Sequence, residues 1–76
     1  MLLANRIKSI REAYHLTQFE VAVRCQMTTS AYGQIERKAS KCTFETLMKV
    51  AVAIGVSLPF LVDLESDFFV EVKYKL

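Results

Sequence analysis

Apolar residues return at helical spacing from the start of the chain. Leu3, Ile7, Ile10 and Tyr14 share one face, with Arg6, Lys8, Arg11 and Glu12 between them. The pattern predicts an amphipathic helix over 3–14. His15 follows where a helix commonly ends in a left-handed residue, a conformation His tolerates better than most side chains. Thr17 is a good N-cap, and Glu20 three residues on completes a capping box. The second helix is expected to run to about 26, with Val21, Ala22 and Cys25 inward. Thr28 caps a third helix over about 29–37, so Met27 and Thr28 alone separate the two in a tight joint.

A basic loop, 37–42, leads to Thr43, which caps a fourth helix over 44–54. Phe44, Leu47, Val50, Ala51 and Ile54 are its expected inward residues, and Gly55 ends it. Ser57 caps a short fifth helix with Pro59 in its first turn, a tolerated place. Its expected apolar contacts are Phe60, Leu61 and Leu64. The period then changes from 3.6 to two. Phe68, Val70, Val72, Tyr74 and Leu76 alternate with other residues, all charged from 71 onward. Such alternation predicts a half-buried strand, against the alternatives that the segment continues the fifth helix or is disordered.

Composition limits what these elements can be. The chain has 76 residues, 53% of them hydrophobic and 24% charged, which fits one small globular domain rather than a disordered chain. The apolar runs are far shorter than the ~20 residues of a membrane span. The opening residues Met1 to Arg6 turn polar too soon for a signal peptide. The expected location is therefore cytoplasmic, with Cys25 and Cys42 reduced. Two cysteines and one histidine give no zinc spacing, so no metal and no cofactor are expected. Charge is uneven. Residues 1–56 carry eight Lys or Arg against four acids, and 57–76 carry two against four. A basic body with an acidic tail suits a polyanion, although an ordinary solvated surface would look similar.

Residues 6–64 resemble the lambda-repressor-like, or Cro/XRE, helix-turn-helix family. The resemblance rests on an ordered set. It begins with Ile7, Ile10-Arg11-Glu12 and Leu16-Thr17-Gln18-Phe19-Glu20-Val21-Ala22. It continues through 27–37, then Thr43-Phe44-Glu45-Thr46-Leu47 and 51–57. It implies a mainly α fold, a five-helix DNA-binding domain over 1–66; the C-terminal β-strand over 67–76, expected from the alternation alone, lies beyond the family pattern. Two positions depart from the family pattern. Gln26 and Lys38 replace glycines at places where positive φ is often required, at about 1 kcal/mol each.

The resemblance also implies roles. The third helix would enter the DNA major groove, with Thr29, Ser30, Gly33 and Gln34 facing base edges. The Gln34 amide suits an adenine edge, a pairing worth roughly 1–3 kcal/mol of discrimination. Gly33 costs about 1 kcal/mol relative to Ala inside a helix, and close approach to DNA or to the second helix would account for it. Gln18, Arg37, Lys38 and Lys41 would meet backbone phosphates. Arg11 and Glu36 would form a partly buried, structural ion pair between the first and third helices. Cys25 reads as core and Cys42 as an ordinary loop residue.

The expected function is a sequence-specific, homodimeric transcriptional regulator on double-stranded DNA, with the apolar face of 68–76 as the dimerisation element. The alternative is a protein-binding module, such as an antitoxin that neutralises a toxin through the acidic tail, with or without DNA binding. Nothing resembles a catalytic constellation, so an enzyme is not expected.

Overall fold

The computed structural model describes residues 2–64. The helices are α1 (Leu3–Ala13), α2 (Gln18–Arg24), α3 (Thr29–Arg37), α4 (Phe44–Ile54) and α5 (Leu58–Leu61), with a 3-10 turn at Ala39–Lys41. The alternating segment at 67–76 lies outside the described residues, and no strand occurs among those described.

Hydroxyl side chains start four of the five helices. Thr17 Oγ1 accepts the Glu20 N–H at 3.1 Å, and Glu20 Oε1 accepts the Thr17 N–H at 3.0 Å. That reciprocal pair satisfies two donors that the first turn of α2 would otherwise leave open. Thr28, Thr43 and Ser57 cap α3, α4 and α5 in the same sense, accepting from Ala31, Thr46 and Phe60. Three helices end in a left-handed residue: His15 at φ 59°, Gln26 at φ 59° and Gly55 at φ 97°. After α1, Leu16 N–H reaches the Arg11 carbonyl. After α2, Met27 N–H reaches that of Ala22. Both are Schellman closures without glycine.

Several expectations shift. Helix α1 stops at Ala13, which is buried, while Tyr14 is 40% exposed. The turn at His15 carries the chain off the helical path, so Tyr14 does not extend the apolar stripe. Helix α2 stops at Arg24 rather than near 26, leaving 25–28 between α2 and α3. Cys25 is half-buried at the end of α2. Lys38 has φ −111°, so no left-handed strain falls there. The chain leaves α3 directly into the 3-10 turn, where Lys41 N–H closes on the Lys38 carbonyl at 2.9 Å. Phe44 is 63% exposed instead of inward. The buried residues of α4 all fall between 50 and 54, so its first turn projects beyond the core. Leu64 follows the end of α5 and is also exposed.

The core gathers Ile7 and Ile10 of α1, Val21 of α2, Tyr32 of α3, Val50 of α4 and Leu61 of α5, none of them exposed. Arg6 joins them, although the pattern placed it on the polar face. Its Nη2 donates to the Phe60 carbonyl at 2.7 Å, and its guanidinium lies 4.7 Å from the Phe60 ring centroid. Fork-shaped donors with a flat cationic face suit such a site. The contact ties α1 to α5. Arg24 does similar work at the other end, donating to the Ala53 carbonyl at 2.8 Å and so tying α2 to the last turn of α4.

Candidate nucleic-acid interface

Helix α3 has two dissimilar sides. Its inward side carries Tyr32, Gly33 and Glu36, all buried. Its outward side carries Thr29, Ser30 and Gln34, all exposed.

The inward side is held at one carboxylate. Arg11 Nε donates to Glu36 Oε2 at 2.9 Å and Arg11 Nη2 to Oε1 at 3.0 Å, a two-pronged pair. The side chains are 7% and 5% exposed. Tyr32 Oη donates to Oε2 at 2.7 Å and Gln18 Nε2 to Oε1 at 3.3 Å. Arg11 Nη1 also donates to the Leu16 carbonyl at 2.9 Å. One carboxylate therefore collects α1, α2 and α3. Burial alone would raise the Glu36 pKa, but the hydrogen bonds from Arg11 and Tyr32 and the guanidinium charge outweigh it and hold the group below its ordinary value. The bond to Glu36 raises Arg11, and burial followed by the same carboxylate raises Tyr32. The charged pair and the neutral phenol are thus the stable forms near neutral pH.

Gly33 lies where two polar side chains meet. A Cβ there would stand 3.3 Å from Arg37 Nη1 and 3.7 Å from Gln18 Oε1. The missing side chain leaves room for both ends against the helix. The tighter contact is with the flexible end of Arg37 on α3 itself, and the Gln18 atoms of α2 stand at ordinary contact distance, so packing against α2 does not by itself demand a glycine here.

Gln18 is half-buried and linked to Glu36, while Arg37, Lys38 and Lys41 are exposed around the end of α3 and the 3-10 turn. Cys42 closes the back of this loop, its Sγ 3.6 Å from the Lys38 carbonyl and 3.8 Å from that of Ile35. The structure therefore brings Gln18, Gly33 and Arg37 together, with Thr29, Ser30 and Gln34 on the open face of the same helix. Sequence reasoning missed the Gln18–Glu36 bond and the burial of Arg6. Position 6 shares a face with Leu3 and Ile10, three and four residues away, which is the one available signal for the latter.

This arrangement offers hydroxyl and amide groups on an open helix face beside guanidinium and ammonium groups. Among the described residues no group of His, Cys, Asp and Glu could hold a metal ion. No helix among them is long and apolar enough to cross a membrane.

Residues 7–61 match the family model described as helix-turn-helix. The immunity repressor protein of Bacillus phage phi105 is 33% identical over 66 residues, covering 87% of this chain and 46% of the relative. The chain thus spans about half the length of that curated relative. No solved structure matches this chain. A two-helix joint with an open second helix, in a chain whose matched span runs from α1 to α5, agrees with that family model: the chain belongs to the Cro/XRE-type helix-turn-helix family of DNA-binding domains of transcriptional regulators.

Proposed function

We propose that this chain is a sequence-specific regulator of transcription, repressor-like, that binds double-stranded DNA with α3 in the major groove. The observation that carries the proposal is the two-sidedness of α3: Tyr32, Gly33 and Glu36 are buried, while Thr29, Ser30 and Gln34 are exposed. A helix clamped on one side and polar on the other fits a groove reader. Gln34 is the principal base reader, donating to and accepting from an adenine edge, with Thr29 and Ser30 beside it. Gln18, Arg37, Lys38 and Lys41 take backbone phosphates, which set register without reading sequence. The phage immunity repressor similarity supports the repressor-like reading.

The active species is a homodimer. One domain of this size contacts too little DNA for tight specific binding, and two copies related by a two-fold axis would read two half-sites.

Selection from random duplex DNA tests the reading. Enrichment of an inverted repeat is expected. Gln34→Ala should relax preference at one or two base pairs per half-site, whereas Arg37→Ala should weaken all duplexes alike. Failure to enrich any sequence, or both variants behaving as wild type, would refute it.

A further inference from the structure

We propose that Lys8 on α1 is a further contact for a DNA backbone phosphate, extending the binding surface from the α2–α3 pair onto the first helix. The proposal rests on the DNA-binding reading above. Lys8 is exposed. It lines one depression together with Asn5, Glu36 and Arg37, and a second together with Thr17, Gln18 and Phe19. Lys8 is thus the residue shared between the surroundings of Arg37 and those of Gln18. Arg37 and Gln18 themselves converge over Gly33. Lys8, Arg37 and Gln18 therefore border one continuous surface, built from three helices.

The charge of Lys8 is available there. Glu36 borders the same depression, yet both its oxygens are occupied, Oε1 by Arg11 and Gln18 and Oε2 by Arg11 and Tyr32. Glu12, one turn along α1, borders the depression on the Gln18 side. Lys8 takes part in no ion pair among the described residues. An uncommitted ammonium group beside a guanidinium and an amide suits a phosphate, because lysine acts as a point charge on a flexible stem and needs no fixed geometry.

The test is the salt dependence of binding to a duplex obtained by selection, measured for wild type, Lys8→Gln, Lys8→Arg and Lys49→Gln. Lys49, on α4 beside Arg24, Met48 and Val52, serves as the comparison cation. Each lost phosphate contact lowers the slope of log K against log salt by about 0.9. Between 50 and 200 mM salt, the wild-type dimer should therefore lose roughly 12-fold more affinity than Lys8→Gln, from two contacts at about 3.5-fold each. Lys8→Arg should keep the wild-type slope, Lys49→Gln should keep it too, and all three variants should melt as wild type does. A steep wild-type slope left unchanged by Lys8→Gln would overturn this proposal alone, as would an equal loss in Lys49→Gln. A flat wild-type slope would overturn the DNA-binding reading, and this proposal with it.

Discussion

Replacing Glu36 by Ala removes the one acceptor shared by α1, α2 and α3. The variant strands Arg11 Nε and Nη2, which keep no acceptor on this side, and the hydroxyl of fully buried Tyr32. Arg11 retains its bond to the Leu16 carbonyl. Leaving one charge of a buried pair uncompensated costs about 3–5 kcal/mol. A stranded buried hydroxyl would cost on the order of 1–3 kcal/mol by itself, but the two groups share one carboxylate and the costs do not add. A domain of this size has roughly 4–11 kcal/mol of total stability at ~0.05–0.15 kcal/mol per residue. The expected loss is a large part of that, and at ~4–8 °C per kcal/mol it lowers Tm by at least about 12 °C. Thermal and urea unfolding followed by circular dichroism measure it. The mechanism has its own control. A buried ion pair replaced by apolar residues of similar volume is often neutral or stabilising. The combined variant Arg11→Met, Tyr32→Phe, Glu36→Leu should therefore be more stable than Glu36→Ala. A Glu36→Ala protein melting with the wild type, or a combined variant weaker than the single one, would refute the stranded-group argument.

Stability should fall in acid through the same carboxylate. Its folded pKa lies below the ordinary 4.5, so the unfolded chain takes up the proton first as pH drops. The contribution is complete above the unfolded pKa and disappears as pH falls through the lower folded value. Melting temperature should be flat above roughly pH 5 and decline below it, less steeply in Glu36→Gln; equal declines would show that other groups dominate. Gln26→Gly relieves a left-handed non-glycine residue at φ 59° and should stabilise the domain by on the order of 1 kcal/mol, the usual cost of such a position. Equal or lower stability by urea unfolding would show that the turn holds Gln26 without strain.

The caps made much of the fold legible. Thr17, Thr28, Thr43 and Ser57 each name a helix start, and each accepts the N–H three residues on. The bounds of α3 and α4 follow from them. Where helices end was harder to read. His15 was legible as a left-handed residue from its chemistry, but Gln26 adopts the same conformation with no such sign of its own, and only the resemblance marked its position. Depth in the core was also hidden. Phe44 continues the apolar spacing of α4 but sits beyond the core in its first turn, whereas Arg6 is buried because a carbonyl and a ring on α5 receive it. Periodicity records which side of a helix a residue is on, not how far neighbouring helices reach. The pairing of Arg11 with Glu36 was open to family resemblance, since 25 residues separate them. The bond from Gln18 to the same carboxylate was not, because a glutamine gives no sign of its partner.

The division of labour on α3 has a consequence for how such a protein diversifies. Thr29, Ser30 and Gln34 make no side-chain hydrogen bond among the described residues and lie outside the core. Exchanging them alters what the helix presents without disturbing what anchors it, since surface substitutions of this kind usually shift stability by less than about 0.5 kcal/mol. Tyr32 and Glu36, which hold the α1–α2–α3 junction, have no such freedom. If α3 reads DNA as proposed, a lineage built on this scaffold would acquire new operator preferences at three positions without compensating changes elsewhere, and duplicated copies would diverge in target while remaining interchangeable in fold.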